Sequence, residues 1–140
     1  MELDKFFQLL IGGVVVGSIY AMVALGYTMV YGILGIINFA HGEVMMIGAM
    51  VAMTLSAALL SMGLPVLLVL LLAMVVAMLV CMVLSYTMEK VAYRPLRNAP
   101  KLAPLITAIG LSFLIQAAAQ IIWGKSPRPF PELLPSDRII

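Results

Sequence analysis

Three long stretches of this chain carry no ionic side chain, and that absence limits the fold more than any motif does. No Asp, Glu, Lys or Arg occurs in residues 6–42, 44–88 or 102–124. Hydrophobic residues make up 64% of the 140 residues and charged ones only 10%, against about 45–50% and about 25% in soluble domains. A water-facing surface cannot be built with so few ions, so lipid replaces water as the solvent for most of the chain. Transmembrane β-strands are about ten residues long and alternate apolar with polar; these runs are continuous and longer. The expected fold class is an all-α integral membrane protein.

The first run would be about 55 Å long as one straight helix, against a hydrocarbon core about 30 Å thick. A break is expected near Gly32 and Gly35, where glycine weakens the helix. The pattern therefore predicts helix 1 over 6–31 and a broken or re-entrant segment over 32–42. Helix 2 follows over 43–62. Gly63 and Leu64 turn the chain, and Pro65 opens helix 3 as its first residue, continuing to residue 88. A polar stretch, 89–101, precedes helix 4 over 102–123. Pro127, Pro129, Pro131 and Pro135 exclude a fifth helix from the segment that follows. The chain thus divides into a transmembrane part, 1–124, and an extramembrane Pro-rich tail, 125–140. A cleaved secretory leader fits poorly, because Glu2, Asp4 and Lys5 do not form a positive start and the apolar run is too long.

Basic residues in short loops set orientation. Lys90, Arg94, Arg97 and Lys101 face one acid, Glu89, and such an excess marks the cytoplasmic side. Three crossings precede that loop, which puts the N-terminus outside the cytoplasm. The loop also suits anionic headgroups or a cytoplasmic partner. A net charge of +2 is too small to indicate nucleic acid.

Few residues are suited to chemistry. Gly13, Gly17 and Ala21, spaced by four, form a stripe that permits close helix approach, although glycine is common in membrane helices anyway. Asn38, His41 and Glu43 form the one strongly polar cluster before residue 85. Capping of helix 2 would explain each residue type. Alternatively, the broken segment lines a wet transport path. Gln116 and Gln120 share a face of helix 4, with Thr107 and Ser112 nearby; they either bond to other helices or wet the same path. Met45, Met46, Met50 and Met53 read as packing or lipid-facing residues. One His and one Glu do not make a metal site, and Cys81 has no partner cysteine. No phosphate-binding Gly-rich lysine loop and no Gly-x-Ser-x-Gly elbow occurs, so neither ATP binding nor catalysis is expected of this chain.

Several strings carry a family resemblance. They are Gly17-Ser18-Ile19-Tyr20-Ala21, Leu25-Gly26-Tyr27-Thr28-Met29-Val30-Tyr31-Gly32 and Ile37-Asn38-Phe39-Ala40-His41-Gly42-Glu43. Two more are Glu89-Lys90-Val91-Ala92-Tyr93-Arg94-Pro95-Leu96-Arg97 and Leu105-Ile106-Thr107-Ala108-Ile109-Gly110. Together they resemble the N-terminal half of the high-affinity branched-chain amino acid permeases, in particular the first of the two permease subunits. The resemblance implies a multi-pass protein of the bacterial inner membrane. It also implies a second permease subunit, two cytoplasmic ATPase subunits that use ATP and magnesium, and a periplasmic substrate-binding protein. Relatives handle urea, short amides or other amino acids, which leaves the substrate open. The family is longer and carries its ATPase-coupling loop in the second half, so a truncated product is expected. Four helices are too few to enclose a complete pathway. The alternatives are an ion-coupled carrier or channel subunit, or a structural membrane subunit with no pathway.

The orientation is tested by replacing Asn98 with cysteine. A membrane-impermeant thiol reagent is expected to label it only after the cells are opened; labelling from outside intact cells reverses the topology.

Overall fold

The computed structural model describes residues 2–131, so Pro135 and Arg138 of the expected tail lie outside the described residues. The described residues form four long helices: α1 Glu2–Leu34, α2 His41–Ser61, α3 Val66–Met88 and α4 Leu102–Trp123. No strand occurs among them. Each helix is long and apolar enough to cross a membrane. The protein is an all-helical integral membrane protein, as the charge-free stretches require.

Several boundaries differ from the sequence expectation. Helix 1 extends past both expected ends, and the break contracts from 32–42 to residues 35–40. Gly32 stays helical, while Gly35 takes a positive φ of 66° and ends the helix. That conformation is open to glycine and costly for other residues. At 33 residues, α1 is about 50 Å long; tilt or projecting ends must absorb the excess over the bilayer. Helix 2 begins at His41 rather than at residue 43. Pro65 is not the first helical residue but caps α3 from an extended conformation, with φ −62° and ψ 139°. The preceding turn rests on Gly63, at φ +76°.

The largest departure lies at the end of helix 3. Residues 89–93, expected in a loop, continue the helix as a π-helical turn, Glu89–Tyr93, closed by Arg94 N–H donating to the Glu89 carbonyl at 2.8 Å. Apolar periodicity of 3.6 does not register this change, because a π turn inserts an extra residue. Its effect is to bury both Met88 and Tyr93, five residues apart, in one cluster with Ala40, Val44, Ala108 and Ile115.

α1 and α2 are separate helices, each of membrane-spanning length. Tyr27 and His41 stack edge to face across them, ring centroids 4.8 Å apart. Ile33, Gly35 and Ile36 share a groove with Arg94, Arg97 and Lys101. The break therefore lies at the same end of the molecule as the basic loop, and three crossings separate that loop from the N-terminus.

Packing concentrates between α2 and α3. Gly48, Ala52 and Ser56 on α2 line the same apolar groove as Ala73, Ala77 and Cys81 on α3, and Phe130 lies against it. Small residues every fourth position on both helices let the backbones approach, the packing mode that membrane helices favour. Contact is tight enough that a Cβ on Gly48 would lie 2.6 Å from Cys81 Sγ. Cys81 also donates weakly to the Val44 carbonyl at 3.4 Å. The stripe singled out on α1 plays no such part within the chain. A Cβ at Gly13 or Gly17 meets nothing within 4 Å, and Ala21 is exposed. The α1 side chains face lipid or other helices instead.

Gly48→Ala is expected to destabilise the protein by about 1–3 kcal/mol, the usual cost of overpacking. Adding Cys81→Ala, which removes the clashing sulfur, should restore most of it. Unfolding by SDS in mixed micelles reads both; equal losses in the single and double variants would refute the seam.

Candidate functional site

The start of α2 lies deep in the bundle, and its polar residues are paired across it. Asn38 Oδ1 accepts two hydrogen bonds, from the Ala40 backbone N–H at 3.0 Å and from the Tyr93 hydroxyl at 2.7 Å. The first closes a local turn of the kind Asn side chains favour. The second ties the break to the π turn at the end of α3. Asn38 therefore positions the residue before α2 but makes no capping bond to the helix; Ala40 is the N-cap, with no side-chain cap.

His41, the first residue of α2, packs against α1. Its imidazole lies over Gly26, where a Cβ would come within 2.3 Å of Nε2. A Cβ on Gly42 would come 3.3 Å from the Tyr27 hydroxyl. Glycine at 26 and 42 lets α1 and α2 approach at this one level.

Glu43 is in the first turn of α2, as expected from its charge and the helix dipole. Its carboxylate, however, reaches across to α4. Oε1 accepts from Ser112 Oγ at 2.8 Å and from Gln116 Nε2 at 2.6 Å. Ser112 and Gln116 are one turn apart and so present both donors on one face. They sit midway along α4, about 15 and 21 Å from its start at 1.5 Å per residue. Against a core about 30 Å thick, that places the carboxylate near the bilayer midplane. An ionisable group at that depth is costly unless it is paired or wetted.

Glu43 is both. Beside the two hydrogen bonds lies a cavity of about 240 Å³, lined by Glu43, Gln116, Gln120, Met46, Met50 and Gly124. Gln116 and Gln120 thus meet at one cavity, as their shared face predicts. The far end of α4 is fixed by Trp123 Nε1 donating to Thr54 Oγ1 of α2 at 3.0 Å. Asn38 and His41 do not line this cavity; they shape the break that delivers Glu43 to it.

Sequence reasoning missed Tyr93, because a π turn brings it onto the buried face. It missed Tyr27, which reads as one more aromatic in an apolar helix. Ser112 was noted only as a neighbouring polar group. Among the described residues, no three His, Cys, Asp or Glu side chains are grouped to hold a metal ion. The basic side chains Lys90, Arg94, Arg97 and Lys101 all lie apart from Glu43, at the basic end.

Four membrane-length helices, with a carboxylate of α2 hydrogen-bonded to α4 beside a cavity, suit a membrane transport component. Residues 9–131 match the family model described as branched-chain amino acid transport system / permease component, and the chain belongs to that family. It is 46% identical over 137 residues to the high-affinity branched-chain amino acid transport system permease protein BraD of Pseudomonas aeruginosa, covering 97% of this chain and 45% of the relative. It is 43% identical over 136 residues to the corresponding protein LivH of Salmonella typhimurium, covering 96% and 44%. With LivH of Escherichia coli K12 the identity is 43% over 129 residues, covering 91% and 42%. The chain spans less than half the length of these relatives, aligning with their N-terminal part. No solved structure matches it significantly.

A double-mutant cycle between Glu43→Ala and Gln116→Ala, read by unfolding in mixed micelles, should give a coupling of roughly 0.6–1.7 kcal/mol, the range for interhelical hydrogen bonds in membranes. Strictly additive effects would remove the pairing.

Proposed function

We propose that this chain forms the N-terminal half of a permease that carries branched-chain amino acids across the bacterial inner membrane. The observation that carries the reading is Glu43: a carboxylate held near mid-membrane by Ser112 and Gln116, opening onto a cavity between α2 and α4. Family membership supports the substrate class, since the relatives are named for branched-chain amino acid transport.

The cavity suits such a cargo. Glu43, Gln116 and Gln120 offer polar atoms, and Met46 and Met50 offer adaptable apolar surface for an aliphatic side chain. The break at 35–40 supplies the irregular backbone that transporters tolerate only where it is buried or lines a cavity. Energy comes from separate ATPase chains that bind ATP and magnesium. A second permease subunit completes the pathway, and a periplasmic binding protein delivers the substrate. In this assembly the loop carrying Lys90, Arg94, Arg97 and Lys101 faces the cytoplasm, and α1, with Gly13, Gly17 and Ala21 exposed, packs against other transmembrane helices.

The test is uptake of radiolabelled leucine in cells that produce the complete importer. Deleting the gene for this chain should abolish high-affinity uptake. Glu43→Ala should lower the initial rate roughly tenfold or more, a loss of about 1.4 kcal/mol or more, with membrane protein levels unchanged. Uptake that persists in Glu43→Ala excludes the pathway role. Uptake that stops with a protonophore while cellular ATP is maintained points to an ion-coupled carrier instead.

A further inference from the structure

The four basic residues of the 89–101 segment are not equivalent. Lys90 projects over the Tyr86 ring, its Nζ 5.8 Å from the centroid, an arrangement that satisfies a cation in part by the ring's negative face. Arg94, Arg97 and Lys101 instead line one groove of about 480 Å³, whose other wall is the end of α1 and the break, at Ile33, Gly35 and Ile36. Glu89 is the one acid in the groove lining. Among the described residues, no carboxylate forms an ion pair with Arg94, Arg97 or Lys101. Three cations and one carboxylate line one concave surface, which leaves it net positive.

Several of the loop's backbone N–H groups are used in its own turns, from Leu96 to Tyr93, Arg97 to Arg94 and Ala99 to Leu96. The cationic side chains are the strongest donors to an anion in the groove. The apolar part of the groove decides what kind of anion. Ile33, Ile36 and Leu96 form it, and it opens between α1 and α4, which make no contact with each other. The groove therefore runs from a cationic rim at the membrane surface into space that hydrocarbon can reach. A soluble acidic peptide or free phosphate uses only the rim; an amphiphile with a phosphate head uses both.

We propose that this groove is a binding site for an anionic phospholipid, with the headgroup phosphate held by Arg94, Arg97 and Lys101 and the upper acyl chains against Ile33 and Ile36. The guanidinium groups recognise phosphate oxygens in paired hydrogen bonds, and Lys101 adds a point charge. Lys90 takes no part, because it is directed to Tyr86.

Binding is measured by native mass spectrometry on the full chain released from detergent. The probes are dioleoylphosphatidylglycerol, dioleoylphosphatidylcholine and inorganic phosphate alone. Phosphatidylglycerol should bind at least about tenfold tighter than phosphatidylcholine, since each basic residue adds to the attraction for an anionic lipid. The triple variant Arg94→Gln/Arg97→Gln/Lys101→Gln should remove that preference. Lys90→Gln should retain it, and Arg94→Lys/Arg97→Lys should retain part of it, which shows that the fold survives changes at these positions. Equal binding of the two lipids, or an equal loss in Lys90→Gln, overturns the proposal. So does inorganic phosphate that competes as tightly as the lipid. Finally, a triple variant that loses co-purifying ATPase chains but keeps its lipid preference assigns the groove to a protein partner and overturns it.

Discussion

A carboxylate near the middle of a bilayer needs partners, and the tertiary arrangement follows from how Glu43 finds them. Its partners, Ser112 and Gln116, belong to α4, far along the chain. The bond fixes the rotation of α4 about its axis, because only one face carries both donors. It also fixes the depth at which α2 starts. Were α2 to begin at the membrane surface, as an ordinary interfacial cap would place it, Glu43 could not reach the middle of α4. The break after Gly35 is what lets the chain descend before the helix resumes.

The surrounding contacts keep that start in place. Asn38 links the break to Tyr93, and the π turn puts Tyr93 where the hydroxyl can donate. His41 packs on Tyr27 and over Gly26, holding α1 to α2 at this level and nearly nowhere else. Below it, the small-residue seam of Gly48, Ala52 and Ser56 against Ala73, Ala77 and Cys81 holds α2 to α3. Hydrophobic burial does not drive such association when lipid is as apolar as the side chains, so close packing and these few hydrogen bonds do. The scarcity of buried residues on α1 fits a helix whose partners lie outside the described chain.

The two polar regions divide the labour by depth. Glu43, Gln116 and Gln120 surround a cavity in the membrane interior, where a polar group is costly and its placement implies a use. Arg94, Arg97 and Lys101 gather at the surface end, where charge is tolerated and can meet headgroups. Both depend on the same segment, residues 33–43, which forms one wall of the surface groove and then enters the bundle as α2. The chain spans under half the length of the relatives it matches.

Transfer energy and glycine chemistry are local, so the membrane class, the four membrane-length helices and the break between the first two were legible in the sequence. Helix 4 was placed to the residue, because Lys101 and Gly124 bound an uninterrupted apolar run. The pairings were not legible. Nothing in the composition distinguishes the exposed stripe Gly13, Gly17 and Ala21 from the packed one at Gly48, Ala52 and Ser56, since both have the same spacing and differ only in what faces them. Tyr93 joined Asn38 through a π turn that the 3.6-residue period conceals. The partners of Glu43 were decided by which face of α4 turned toward α2. A linear sequence shows which groups are too polar to leave bare in hydrocarbon; only the packed helices choose the groups that satisfy them.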